Sequence, residues 1–118
     1  MISSAYNSSL SALRAFGMKM SVTADNIANV NTDGFKKSRA TIQEGLHNGV
    51  RVDISRIDSS GLSGFEWSEG QMKEKELSNV NLSEEIPHAM ITRRCYEANL
   101  KVLKTEDEIL GTLIDIKS

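Results

Sequence analysis

The chain has 118 residues, enough for one domain, and only 5% of them are aromatic, so any core depends on aliphatic side chains and methionine. The 14 basic and 16 acidic residues nearly cancel, which argues against a surface for nucleic acid. A single cysteine excludes an intramolecular disulfide, no apolar run is long enough to span a membrane, and the serine-rich start lacks the features of a secretory signal. We therefore expect no nucleic acid partner, no membrane insertion and no cleaved signal peptide.

The first thirty residues have apolar side chains at the spacing of an amphipathic helix. Two rows recur every seven residues, like the two seam positions of a heptad, although Ser9 and Thr23 are polar members of the second row. The Asn- and Gly-containing residues from Asn29 to Gly34 then predict the end of the helix and a turn. The apolar residues predicted to form an assembly seam are Ile2, Tyr6, Leu13, Phe16, Met20, Ile27 and Val30.

The middle of the chain has the signals of short strands and loops. Residues 50–54 alternate apolar and polar side chains, which predicts a strand with one buried face. Phe65 and Trp67 alternate around Glu66 and indicate a second strand, a candidate partner for the first. Because an isolated hairpin is marginal in water, we expect this segment to lean on the helices.

A second helix is predicted from about residue 83 to residue 116, with Asn81 or Ser83 as its cap and Pro87 near its start. Its apolar positions cover a surface wider than one seam requires, so we expect it to contact more than one neighbour. Within one chain only the first helix is available, which indicates self-assembly. The seam residues predicted on this helix are Ala89, Tyr96, Leu100, Val102, Leu103, Ile109, Leu110, Leu113 and Ile114.

Together these patterns predict a mainly α fold, in which long N- and C-terminal helices form a coiled-coil hairpin with a small β-hairpin or loop segment between them. The predicted boundaries are 1–40 for the N-terminal assembly helix and turn, 41–82 for the middle segment, and 83–118 for the C-terminal assembly helix. Such a fold exposes apolar surface in the single chain and covers it by association.

No group of residues in the sequence points to an enzyme. Glu85 and His88 have the spacing of a metal-binding helix bundle, but that motif needs a second copy and further carboxylates. Cys95 has no histidine placed beside it as a base, and at a helical seam position we expect it to be buried and inert. The basic cluster at residues 36–39 is typical of a solvated surface in a chain of this charge. The sequence predicts no catalytic residue, no metal site and no cofactor.

The end of the first helix, residues 25–37, resembles the signature of the flagellar basal-body rod family, which rod and hook proteins share. Asp33 stands where the family often has proline, and it still suits a turn. Residues 76–85 and 90–99 resemble the lead-in and the body of the family's C-terminal helix, where Pro87 and His88 depart from the usual helix formers. The residues that we assign to the family-motif turn are Asn26, Ile27, Ala28, Asn29, Asn31, Thr32, Gly34 and Phe35.

The resemblance implies a structural subunit of the periplasm-spanning rod of the bacterial flagellum, the drive-shaft tube of the basal body. It implies, as partners, further copies of this chain, other rod and hook axial proteins, and the flagellar type III export apparatus. The short middle segment favours a proximal-rod-like member, whereas residues 105–110 look closer to distal-rod and hook sequences. The alternative is a soluble helical-hairpin adaptor or dimer that forms no tube, with the wide second helix covered by a closed two-fold interface.

Overall fold

The computed structural model describes residues 2–117, and the side chains of residues 4–116. A helix stands at each end of the described chain, and four strands lie between them. The bounds in chain order are α1 (Ile2–Ala28), β1 (Ser38–Glu44), a short 3-10 turn (Leu46–Asn48), β2 (Val50–Arg56), β3 (Ser63–Ser68), β4 (Gln71–Glu76) and α2 (Leu82–Lys117).

The four strands form two separate antiparallel hairpins. In the first hairpin, β1 pairs with β2 so that Ser38 lies opposite Arg56 and Glu44 opposite Val50. One face of this hairpin packs against α1 and buries Ala40. In the second hairpin, β3 pairs with β4 around a two-residue turn. The proposed pairing of the strand at residues 50–54 with the strand at Phe65 is therefore wrong, because each strand pairs with its nearest neighbour along the chain.

The helix α1 lies between the first hairpin and α2. Its Ser8 and Ser11 hydroxyls bond to the tip of the hairpin, at Asn48 and Val50, while Asn26 bonds to Ser38 at the base. The other side of α1 packs against α2. The two helices run antiparallel, because the end of α1 meets the start of α2 and the middle of α1 meets residues 92–100.

The molecule is long and thin, with extents of 82 × 23 × 19 Å. At 1.5 Å per residue, the 36 residues of α2 account for about 54 Å of that length. The first hairpin packs against α1, and the second hairpin packs substantially with neither helix, so we infer that the second hairpin and the residues that join it to α2 extend the molecule beyond the start of α2.

The predicted fold class, mainly α with a coiled-coil hairpin of two terminal helices, is wrong. The structure has two helices of 27 and 36 residues together with two small antiparallel sheets, and strands make up 23% of it. A coiled coil buries apolar side chains at both seam positions. Here α2 instead turns a polar row toward α1, and the first hairpin covers the opposite side of α1, so the helices are one part of a mixed α and β structure.

The start of α2 is set by Asn81. The Asn81 side-chain oxygen accepts the Ser83 N–H at 3.0 Å, and the Asn81 carbonyl accepts the N–H groups of Glu84 and Glu85. Asn81 is thus the N-cap, since its side chain satisfies a donor that has no partner within the helix. Pro87 lies in the second turn of α2, later than the first-turn position that proline prefers.

Candidate assembly surface

Asn26, near the end of α1, is the most buried polar side chain at the point where the first hairpin meets the two helices. It is 1% exposed. Its amide nitrogen donates to the Ser38 carbonyl at 2.8 Å, and its amide oxygen accepts the Ser38 N–H at 3.0 Å. The same nitrogen lies 3.3 Å from the Glu85 carboxylate on α2. One side chain therefore joins α1, β1 and α2.

Asn79 makes a similar connection just before α2. Its side-chain oxygen accepts the Lys37 N–H at 2.7 Å, and its nitrogen donates to the carbonyls of Ile57 and Ser59 at 2.8 and 2.9 Å. Its backbone N–H donates to the Phe35 carbonyl at 3.2 Å. We call residues 29–37 and 76–81 together the junction, because these bonds hold the two segments side by side.

The family-motif turn begins in the last turn of α1, and its part from Asn29 to Phe35 lies in the junction and is closed mainly by its own bonds. The Asn29 side chain donates to the Asp25 carbonyl at 2.8 Å and accepts the Thr32 hydroxyl at 3.0 Å. Gly34 has a φ of +73°, which favours glycine, and its N–H donates to the Glu76 carbonyl at 2.9 Å. Of the other motif residues, Ile27 and Phe35 are half-buried, and Ala28 and Asn31 are exposed.

One ion pair joins the two segments of the junction. The Lys36 ammonium donates to the Glu76 carboxylate, and the Gly61 N–H donates to the same oxygen at 3.3 Å. The hydrogen bond from Lys36, followed by that from Gly61, holds the pKa of Glu76 below its ordinary value. Glu76 is therefore ionised at neutral pH and contributes a negative charge to the base of the second hairpin.

The surface of α2 that faces α1 is polar. Its members recur every seven residues, at Glu85, Thr92, Asn99 and Glu106, and all of them except the half-buried Asn99 are buried. Asn99 donates to the Cys95 carbonyl of its own helix at 2.8 Å. On α1, the buried residues that belong to the predicted heptad rows are Ser9, Leu13 and Thr23.

The predicted apolar seam of α2 points largely away from α1. Ala89 and Leu103 are half-buried, and the other seven predicted residues are exposed: Tyr96, Leu100, Val102, Ile109, Leu110, Leu113 and Ile114. On α1, Leu13 is buried, Phe16, Met20 and Ile27 are half-buried, and Tyr6 is exposed. Val30 lies outside α1 in the turn, and the side chain of Ile2 lies outside the described residues. The single chain thus leaves a long apolar surface on α2 without a partner among its described residues.

A groove runs between the two helices at mid-length. Its volume is about 500 Å³, and its lining is mainly apolar. An added Cβ at Gly17 would meet nothing within 4 Å, so the groove is open at that point. The lining residues are Phe16, Gly17, Met20, Thr92, Arg93, Tyr96, Glu97 and Leu100.

Two sets of structurally important residues are not predicted from the sequence. The polar row of α2 has a clear seven-residue spacing, but a search for apolar periodicity passes over it. Asn79 stands inside a segment that resembles the family, yet nothing in the local sequence shows that its side chain closes the junction. Both sets act through contacts with residues that are distant along the chain.

The described residues carry no sign of a metal site or a membrane span. No cluster of three or more histidine, cysteine, aspartate or glutamate side chains within them is arranged to hold a metal ion. Neither α1 nor α2, over the described part of each helix, is long and apolar enough to cross a membrane. Cys95 is half-buried and unpaired as a thiol.

Both helical parts of the chain match models of known families. Residues 7–36 match the flagella basal body rod protein family, and residues 75–116 match the C-terminal family of the flagellar basal body rod FlgEFG proteins. The two matched segments cover α1 from residue 7 onward with its turn, and α2 as far as residue 116 with the residues that lead into it.

Individual relatives agree with the family models. The chain is 50% identical over 92 residues to the flagellar basal-body rod protein FlgG of Bacillus subtilis, which covers 74% of this chain and 31% of that protein. It is 37% identical over 76 residues to FlgG of Buchnera aphidicola, covering 60% and 29%. It is 40% identical over 42 residues to the flagellar hook protein FlgE of Escherichia coli, covering 36% and 10%.

These matches define the class as axial proteins of the bacterial flagellum, which are structural proteins and not an enzyme family. The chain belongs to the family of flagellar rod and hook proteins, and its basal-body rod relatives place it in the flagellar basal body. It spans between a tenth and a third of the length of the three relatives named above.

Proposed function

We propose that this chain is a structural subunit of the flagellar basal-body rod, which assembles with copies of itself and with other axial proteins through the exposed faces of its two terminal helices. Assembly builds the drive-shaft tube after the subunit has passed through the flagellar export apparatus. The family supports a structural role in the flagellum. The mode of assembly rests on the surface of α2.

The single observation that carries this proposal is the division of α2 into a polar row against α1 and exposed apolar rows elsewhere. Beyond Glu106, every side chain of α2 from 107 to 116 is exposed, including Ile109, Leu110, Leu113 and Ile114. Aliphatic surface on this scale is unfavourable in water and is covered by neighbours in stable assemblies. The family matches cover most of the same two helices, which supports assembly through these helices.

Leu113→Asp tests the proposed assembly face. Leu113 is 46% exposed in the single chain, so the variant is expected to fold with a free energy of unfolding within about 0.5 kcal/mol of the unmodified chain. In an assembly, the carboxylate would be buried among aliphatic groups at a cost of several kcal/mol. We expect loss of the labelled subunit from isolated basal bodies and loss of assembly of the purified protein in electron microscopy.

Thr112→Asp is the matched control, because it places the same charge one residue away on a different face of the exposed helix. We expect this control to assemble. If the Leu113→Asp variant assembled as well as the Thr112→Asp control, that result would contradict the proposed assembly face. Light scattering that saturates at a dimer in the unmodified chain, without incorporation into basal bodies, would instead favour the adaptor or dimer with a closed two-fold interface.

A further inference from the structure

One side of α2 carries a stripe of positions that the described residues leave uncovered. Its members are spaced alternately three and four residues apart, which keeps their side chains on one face of the helix. We call this stripe the lateral face, and its members are Cys95, Ala98, Val102, Thr105, Ile109, Thr112 and Ile116. All of them are exposed except Cys95, which is half-buried. At roughly 100° per residue, the lateral face lies about a quarter turn round the helix from the polar row that meets α1.

The lateral face alternates between larger apolar and smaller side chains. Val102, Ile109 and Ile116 are 44%, 45% and 75% exposed in the single chain. The members between them are alanine and threonine, whose small side chains let the axis of a neighbouring helix approach closely. Exposed aliphatic side chains at heptad spacing are typical of a surface that pairs with another helix.

A charged row borders the lateral face on the side away from α1. Its members recur every seven residues, and all four are exposed: Arg94, Lys101, Glu108 and Asp115. The first two are cations and the last two are anions, so the sign of the row reverses at its midpoint. The side chains of Arg94, Lys101 and Glu108 make no ion pair among the described residues. Their charges are therefore available to a partner.

The charged row fits a second copy of itself in one direction only. When two identical helices pair through the same face and run parallel, one flank of each helix meets the opposite flank of the other. The charged row would then meet the polar row, which α1 covers. When the helices run antiparallel, a two-fold axis perpendicular to them brings the same flank of each helix together. The charged row then lies beside its own reversed copy, so that each cation meets an anion.

We propose that two copies of the chain form a closed dimer, in which the lateral faces of their α2 helices pair antiparallel about a two-fold axis at Thr105. In this register Lys101 of each copy lies opposite Glu108 of the other, and Arg94 lies opposite Asp115. Each of these pairs occurs twice, because the interface is symmetric. Charge complementarity of this kind selects the direction and the register of the contact.

The same register aligns the lateral face with itself. Thr105 meets its own copy at the axis, Val102 meets Ile109, and Cys95 meets Ile116. The paired segment, residues 94–116, is about 35 Å long at 1.5 Å per residue. Exposed ion pairs contribute little, and the lateral face has few large apolar side chains, so the dimer is weak. We expect it to form at high protein concentration and to dissociate on dilution.

The dimer competes with assembly for part of α2. Ile109 is one of the exposed apolar residues through which the proposed function has α2 contact its neighbours, and the dimer covers it. A two-fold dimer leaves no lateral face free and does not grow, so each copy must leave the dimer before it enters the tube. The dimer therefore delays association of subunits outside the tube. The dimer itself does not depend on the proposed function, whereas this effect on assembly rests on it.

Engineered disulfides test the direction and the register. Every variant carries Cys95→Ser, which removes the native thiol, and Leu113→Asp, which lies outside the lateral face and is expected to suppress tube assembly. Thr105→Cys is expected to form a disulfide-linked dimer in mild oxidant, because both copies of residue 105 lie at the axis. Ala98→Cys alone is expected to form none, since its two copies lie about 21 Å apart, beyond the roughly 7 Å that a disulfide spans between Cα atoms. A mixture of Ala98→Cys and Thr112→Cys is expected to form the mixed disulfide, identified by mass.

Charge reversal tests the charged row in the Leu113→Asp background. Lys101→Glu places like charges opposite each other at two symmetric positions, so we expect the dissociation constant of the dimer to rise roughly tenfold in sedimentation equilibrium. Adding Glu108→Lys to that variant is expected to restore it. Lys104→Glu is the matched control, because this exposed lysine lies outside the charged row, and we expect less than about a twofold change. Circular dichroism checks that each variant keeps its helices.

Equal cross-linking of the Thr105→Cys and Ala98→Cys variants, or equal weakening by Lys101→Glu and Lys104→Glu, would overturn the antiparallel dimer. Either result leaves the proposed function standing if the unmodified chain enters basal bodies. An unmodified chain that dimerises in this way and never enters basal bodies would overturn the proposed function and leave the dimer standing. If Leu113→Asp still assembles, the proposed assembly face fails, while the pattern of disulfides still decides the dimer.

Discussion

At the residue scale, Asn26 acts as a substitute for backbone. Its amide bonds both polar groups of Ser38, as the peptide group of a neighbouring strand would. Aspartate at this position would lack the donor, and glutamine would be longer by one methylene group. The resemblance to the rod family places Asn26 in a motif, but the reason for an asparagine is visible only where β1 and α2 converge on it.

Asn26→Ala should lower the free energy of unfolding by about 3 kcal/mol. The substitution removes the partner of the half-buried N–H and carbonyl of Ser38 and of the buried Glu85 carboxylate. Each such loss costs about 1–3 kcal/mol when the group stays away from water, and partial relaxation lowers the sum. Urea denaturation measures the change. Asn29→Ala is the control, since its bonds lie within its own turn at a less buried site, and we expect it to cost less than about 1 kcal/mol. Similar losses for both variants would contradict the special role of Asn26.

At the element scale, α2 has two kinds of seven-residue row. The polar row meets α1, and the apolar rows face outward, which is the reverse of an isolated two-helix hairpin. Buried polar side chains add little to stability compared with well-packed aliphatic ones, because their desolvation offsets most of the bonds that they form. The pair of helices therefore holds together with modest strength and keeps its most apolar surface for neighbours.

Thr92→Val tests the energetic cost of the polar row. The Thr92 side chain is 1% exposed, and its hydroxyl oxygen has no hydrogen-bond partner among the described residues. Valine has nearly the same shape and removes the unsatisfied group, so we expect the free energy of unfolding to rise by about 1 kcal/mol. Thermal and urea denaturation both report this change.

Thr112→Val is the corresponding control on the exposed part of α2, where the hydroxyl bonds the Glu108 carbonyl at 3.0 Å. Its effect should stay within about 0.5 kcal/mol. Lower stability of the Thr92→Val variant would show that the buried hydroxyl is hydrogen-bonded in solution, and that the row contributes stability as well as alignment.

At the scale of the whole molecule, the chain is a thin rod with very little interior. The buried apolar side chains of the described residues are Ala12, Leu13, Ala15 and Ala40, of which one is large. A body 82 Å long and about 20 Å wide cannot hold a globular core. The local free energy of unfolding is therefore expected to vary along the molecule. It should be higher where the first hairpin, α1 and α2 lie side by side than where α2 stands alone.

Hydrogen exchange on dilute subunits is expected to follow that variation. The amides of α1 from residue 9 to residue 26, which are covered by the first hairpin and by α2, should exchange at least tenfold more slowly than those of α2 from 107 to 116, whose side chains are all exposed. In assembled material the slow region should extend into 107–116. Equal protection of both segments in the dilute subunit would contradict the layered arrangement.

The sequence predicted the two helices, the turn and the family correctly, but it predicted the strands only in part. The spacing of apolar residues placed a helix at each end, the asparagine and glycine residues placed the turn, and the motif at residues 25–37 identified the family. Strand alternation found residues 50–54, but it did not find β1 or β4, whose charged and polar side chains hide the pattern. The predicted pairing of residues 50–54 with the strand at Phe65 was wrong, because residues 50–54 belong to β2, whose partner is β1, and β1 was not predicted.

What the sequence by itself determined is local: helical periodicity, a turn and a family signature all depend on residues within a few positions of one another. What only the tertiary structure decided is which face of each element is covered. Asn26 bonds a residue 59 positions away along the chain. The polar row of α2 is buried because it is the row that lies against α1. Which face of an element is buried depends on surfaces that are distant along the chain. The apolar rows of α2 that were predicted to pack against α1 are therefore exposed to solvent in the single chain, where a neighbouring subunit can cover them.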